Sequence, residues 1–217
     1  MTATTVRDAA ELASAIIEGA TEIEVEGVIT GSPMITLPPG TTLRGGTLRF
    51  QARGVRLTSD NTLEDVVVEV PEHETAILND TTVADLGTLT LRNVTTRGQI
   101  ALLAEDRVRS GHIQAEAVYV VVADVCGRYH RPHGFGVDAL QGGFTLWNRQ
   151  ADPAVRLTAE LLDFSAGSAE EPVRGSGVFV GGHGDWNGTA DGGTVHVTQL
   201  RTGQIHTDGR IPGAPRT

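Results

Sequence analysis

One stretch of this 217-residue chain is written twice. Trp147-Asn148-Arg149-Gln150-Ala151-Asp152 returns as Trp186-Asn187-Gly188-Thr189-Ala190-Asp191. The copies run on into Val155-Arg156-Leu157-Thr158 and Val195-His196-Val197-Thr198, and each is preceded by Gly-x-Gly-Val, at Gly134 to Val137 and Gly175 to Val178. A looser copy, Ala84 to Asn93, matches Ala190 to Gln199. The turn after it, Thr96-Arg97-Gly98-Gln99-Ile100, is worded like Thr202-Gly203-Gln204-Ile205. A shorter apolar-x-polar-apolar signature recurs around Asp65, Asn93 and Asp124, and again near Asp163 and Gln199. Repetition at such periods marks an array in which equivalent residues of successive units stack on one another.

The units are made of strands. From Thr21 onward Ile23 and Val25 alternate with glutamates, and further apolar positions follow at Val28, Ile29, Ile35, Leu37, Leu43, Leu48 and Phe50. The runs last about three to five residues and stop at Gly, Pro, Asn or Asp. Two-residue hairpin turns are mostly missing, which argues against antiparallel meanders and for strands coiling about one axis. The 27 glycines, with abundant Val and Thr, suit strands and bends. Coil lengths grow from about 20 residues to about 40, so the later coils must carry protruding loops.

Only the start reads as helix. Thr5 with Asp8 makes a capping-box-like pair, and Ala9, Leu12, Ala13, Ile16 and Ile17 share one face before Gly19. The expected fold is an all-β, right-handed parallel β-helix of about six coils with an N-terminal capping α-helix. Residues 1–20 form the cap, 21–210 the β-helix and 211–217 a tail.

The opening, Thr5-Val6-Arg7-Asp8-Ala9-Ala10-Glu11-Leu12 through Ile16, continues into Ile23-Glu24-Val25-Glu26-Gly27-Val28-Ile29 and Leu37-Pro38-Pro39-Gly40-Thr41-Thr42-Leu43-Arg44-Gly45. In this it resembles the pectate-lyase-like superfamily of right-handed parallel β-helices. The resemblance covers residues 5–50 and implies that the helix plugs the N-terminal end of the coil stack. It also implies polysaccharide lyase, glycoside hydrolase or epimerase activity as the neighbouring functions. Their catalytic signatures do not map: Arg131-Pro132 lacks the lyase spacing, and His133-Gly134 and His183-Gly184 supply only one of three hydrolase elements. A shared scaffold argues for fold more than function.

A net charge of −10, with every one of the 17 basic residues an Arg, argues against nucleic acid as a partner. Residues 1–90 hold 14 acids and 5 arginines; the remainder holds 13 and 12. The single Cys126, in an apolar strand context, excludes an internal disulfide and reads as a structural thiol. No run of about 18 apolar residues is present, so no membrane-spanning helix is expected. The first 20 residues have neither a basic start nor an apolar run of the secretory kind, so a cytoplasmic location is expected.

Two clusters concentrate chemistry. Arg128-Tyr129-His130-Arg131-Pro132-His133 combines guanidinium donors with imidazoles that can clamp a carboxylate or act as acid and base. The same residues also suit a solvated loop. Gly181-Gly182-His183-Gly184-Asp185-Trp186-Asn187 offers close backbone approach with His, Asp and an aromatic face for a sugar ring. Trp186, as the counterpart of Trp147, equally suits stacking within the repeat. No metal or cofactor is expected, because the acids and His196 and His206 lack ligand spacing.

Two functions follow. One is a non-catalytic β-helix module serving as scaffold or as a surface for a saccharide or protein. The other is a carbohydrate-active enzyme on an acidic polysaccharide, with His130, Arg131, His133, Trp147, His183 and Asp185 at its site. Because no amphipathic helix covers the C-terminal coil, either self-association through that end, a cap formed by the tail, or a natural chain that continues further is expected.

Overall fold

Parallel strands make up most of the described residues, and one short helix accompanies them. The computed structural model describes residues 2–31, 34–104, 106–123, 142–148, 155–164, 176–181, 195–201 and 205–207. Within these, the strands stack in three ladders. The first holds β1 (Thr4–Val6), β2 (Glu22–Val25), β5 (Thr42–Arg44), β8 (Thr62–Glu64) and β11 (Asp85–Arg92). The second holds β3 (Val28–Thr30), β6 (Thr47–Arg49), β9 (Val67–Glu69) and β12 (Val94–Arg97).

The 13-residue β14 (Ser110–Val122) joins the two ladders. Its first half pairs with β11 and its second half with β12, and β16 (Val155–Asp163) and β18 (Val195–Arg201) continue beyond it. The third ladder has seven strands: β4 (Ile35–Thr36), β7 (Val55–Leu57), β10 (Thr75–Asn79), β13 (Gln99–Ala104), β15 (Gly142–Asn148), β17 (Ser176–Gly181) and β19 (Ile205–Thr207). Every pairing is parallel, as expected for strands that return to the same side once per coil.

The register follows from burying one residue in two. Ile23, Leu43, Leu63, Leu91, Ala115 and Ala159 stack inward in the first ladder. Ile35, Val55, Ile77, Ile100 and Phe144 do so in the third. These side chains belong to one buried cluster. The step along the chain lengthens from Ile23–Leu43 to Ala115–Ala159, as the sequence anticipates.

Two sequence matches coincide with this register. Leu89 stacks through Ile113 and Leu157 to Val195, so the described part of the second copy, Val195–Gln199, shares coil positions with Leu89–Asn93. Ile100 stacks through Phe144 and Val178 to Ile205, the residues that end the two matching turn sequences. The tryptophan match does not survive. Gly181 stands beside Trp147, and Val195 pairs with Leu157 rather than Val155, while Trp186 lies outside the described residues. That slip of two residues keeps the apolar residues on the inner face, which is why the motif alone could not expose it.

The first corner explains the polar signature. Gly45, Asp65 and Asn93 follow β5, β8 and β11 in turn, and all three adopt left-handed backbone, with φ of 76°, 51° and 50°. Glycine, Asp and Asn are the residues for which that conformation costs least. In β14 this position falls to Ala117, between Ala115 and Val118, and the strand runs straight through. Asp124, grouped with Asp65 and Asn93 from the sequence, lies outside the described residues, as does Cys126.

Helix α1 (Ala9–Ile17) is capped by Asp8, whose Oδ1 accepts from the backbone N–H groups of Ala10 and Glu11 at 2.8 and 2.9 Å. Thr5, the expected cap, instead belongs to β1 and pairs with Glu24, because Val6 is drawn into the core. Leu12 and Ala15 join the core cluster, with Ala9 and Ile16 partly buried against it. Ile17 and Ala13 of the expected stripe are exposed, Ile17 at 84%. No helix among the described residues is long and apolar enough to cross a membrane.

Candidate functional site

The alternation that buries the core places a second set of side chains in rows on the outside of the first ladder, about 4.8 Å apart from strand to strand. One outward column carries hydroxyls: Thr42, Thr62 and Thr90. It continues to Gln114, Thr158 and His196. The neighbouring column carries charges, Glu24, Arg44, Glu64 and Arg92. By the same register it extends to Glu116 and Glu160, which lie side by side between Ala115–Ala159 and Ala117–Leu161. A third column holds Thr88, His112 and Arg156.

The charged column is partly self-neutralised. Arg92 grips Glu116 with a two-point fork, Nε to Oε2 and Nη2 to Oε1, both 2.8 Å, and donates from Nη1 to Glu64 Oε1 at 3.0 Å. Such forks are the strongest guanidinium–carboxylate geometry. The hydrogen bonds from Glu116 and then Glu64 raise the Arg92 pKa further, and those from Arg92 hold the Glu116 carboxyl below its ordinary value. Arg156 and Glu160 make no ion pair among the described residues.

Beside this column, side chains from β14 and β16 meet. His112 Nε2 lies 3.0 Å from Thr158 Oγ1, and Gln114 reaches His112 Nδ1 at 3.5 Å. Arg156 is the register neighbour of His112, and His196 that of Thr158. His112 is half-buried, whereas Gln114, Arg156, Thr158 and His196 are exposed. The arrangement offers hydroxyl, amide, imidazole and guanidinium groups on a flat, rigid backbone. It can hydrogen-bond a polyhydroxylated or anionic ligand laid across the strands.

The residues favoured from the sequence are placed differently. Arg128, Tyr129, His130, Arg131 and His133 lie outside the described residues, as do His183, Asp185 and Trp186. Trp147 is in β15 of the third ladder, between Leu103 and Gly181 in register, and so on another face from the His112 cluster. His196 does lie on a strand with alternating exposure, as expected. Sequence reasoning passed over His112, Gln114, Arg156 and Thr158. Their signal was the alternation Thr88-x-Thr90-x-Arg92, His112-x-Gln114-x-Glu116, Arg156-x-Thr158-x-Glu160, but alternation alone does not show which strands are neighbours.

Among the described residues no group of three or more His, Cys, Asp or Glu could hold a metal ion. No protein-family model, curated protein or solved structure matches the chain.

Proposed function

We propose that this chain is a right-handed parallel β-helix of about six full coils, of the pectate-lyase-like kind, acting as a non-catalytic module that binds a saccharide along the outward face of its first ladder. The observation that carries the reading is the unbroken polar column from Thr42 to His196, flanked by the charged column from Glu24 to Glu160. A ladder of hydroxyl and amide groups on stacked strands matches the repeated hydroxyls of an extended polymer, and its backbone is already fixed by strand pairing. Little ordering entropy is then lost on binding. Retention of the chain in gels containing soluble glucan, xylan or polygalacturonate tests this. Slowed migration that is relieved by Gln114→Ala with Thr158→Val supports the face. Unaltered migration in every polymer overturns it.

The enzyme reading keeps one specific observation. Glu116 and Glu160 stand side by side on adjacent strands, one tied to an arginine and one without an ion pair. Two carboxyls in unlike environments are what glycoside hydrolysis uses for nucleophile or base and for general acid. Reducing ends released from any of those polymers by the native chain, and not by Glu160→Gln, would establish it over the binding reading.

A further inference from the structure

We infer that His112, Arg156 and His196, together with Gln114 and Thr158, form a recognition site for a tetrahedral oxyanion, a sulfate or phosphate ester carried on the bound saccharide. The inference deepens the reading of this face as a saccharide-binding surface and rests on it.

Three observations converge. First, three of the four Arg and His side chains on β14, β16 and β18 fall on one outward patch, His112 beside Arg156 and His196 beside Thr158, while Arg201 is paired with Asp163. They lie in the part of the chain past residue 90, where 13 acids face 12 arginines, rather than in the strongly acidic first 90 residues.

Second, Arg156 of the patch and Arg92 of the neighbouring charged column differ in availability. Arg92 is committed through its two-point fork to Glu116 and its third contact to Glu64, whereas Arg156 has no carboxylate partner among the described residues. A guanidinium held open beside an imidazole is a ready donor to a ligand oxyanion.

Third, the donors are distributed rather than paired. His112 Nε2, Thr158 Oγ1 and the Gln114 amide are within 3.5 Å of one another along their chain of contacts, with Arg156 and His196 on either side. A planar carboxylate is best met by one two-point fork. A sulfate or phosphate ester presents three terminal oxygens and suits several single donors arriving from different strands. The acids facing the patch are Glu116, already bound to Arg92, and Glu160, two residues along β16 from Thr158. Glu160 is the one group there that opposes anion binding.

The test uses the full chain and one polymer backbone in three forms: dextran, dextran sulfate and dextran phosphate, with polygalacturonate as the carboxylate control. Binding is measured by calorimetry at low and moderate NaCl. The expected result is sulfated or phosphorylated dextran held about tenfold tighter than dextran, with the preference weakened by salt. Arg156→Gln and His112→Ala should each abolish that preference, and Glu160→Gln should enhance it. Sulfate preferred over phosphate, or the reverse, assigns the ester. Equal affinity for plain and esterified dextran overturns the inference while leaving the saccharide-binding reading in place. So does a preference for polygalacturonate, or one indifferent to Arg156→Gln. No binding to any of the four overturns both.

Discussion

Asn93 donates its side-chain amide to Asp65 Oδ1 at 2.6 Å, one coil apart, and both residues hold left-handed backbone. The pair fixes the first corner twice, once through a conformation few residues accept and once through a bond between successive turns of the chain. Substituting Asn93 separates the two contributions. Asn93→Ala loses the bond and keeps the strain, and should lower stability by about 1–2 kcal/mol. Asn93→Gly loses the bond but relieves the strain, and should cost about half as much or less. Urea unfolding of both variants checks the order; equal losses would remove the conformational half of the argument.

Asn61 makes the corner between β7 and β8, where the chain passes from the third ladder back to the first. Fully buried, it accepts the backbone N–H of Thr58 at 2.7 Å and donates to the Pro38 carbonyl at 2.7 Å. Asn61→Ala leaves the Thr58 N–H without that acceptor and is expected to cost about 2–3 kcal/mol. Asn61→Asp restores the acceptor but sets a carboxylate against a carbonyl oxygen. Its deficit should therefore shrink on acidification, when the carboxyl can donate, as thermal unfolding at two pH values would show.

Gly54 is a packing requirement. A Cβ there would lie 2.2 Å from the carbonyl oxygen of Ala76 and 2.9 Å from Val68 Cγ1. The first contact is backbone in the adjacent strand, which cannot step aside as a flexible side chain could. Gly54→Ala is expected to lose about 3 kcal/mol or to reduce soluble yield. A melting temperature within a degree or two of the native chain would contradict the close approach of β10.

The Arg92 fork predicts an acid dependence. Because Arg92 holds the Glu116 carboxyl below its ordinary value near 4.5, the folded state binds that proton less readily than the unfolded chain. The stabilisation is present above the unfolded value and disappears as pH falls through the folded one. Arg92→Gln should lower stability slightly at neutral pH and flatten its decline as pH falls below the ordinary carboxylate value. The pair is solvent-exposed, so salt should reduce the difference. Stability curves of the two chains that stay parallel through this range would show that the fork has no linkage to folding.

Much of the architecture was legible because burial imposes a period. Ile23, Leu43 and Leu63 recur at a fixed interval, and any parallel stack must bring them together. The long matches Ala84–Asn93 with Ala190–Gln199, and Thr96–Ile100 with Thr202–Ile205, were legible for the same reason. The match of Val155 with Val195 was misleading, since two residues of slippage leave every side chain of these strands on its original face. The helix cap moved from Thr5 to Asp8 because Val6 gains more by entering the core in β1 than Thr5 gains by capping.

The candidate face shows the division most clearly. By itself the sequence determined that polar and apolar residues alternate on short strands closed by Gly, Asp and Asn, and hence that coils stack in parallel. It could not determine that His112 touches Thr158 across 46 residues, or that Arg92 reaches both Glu64 and Glu116. Those contacts depend on how many residues each coil spends in its loops, a quantity that apolar periodicity does not encode. Only the tertiary register, set by closing every strand against the one before it, decided which polar side chains became neighbours.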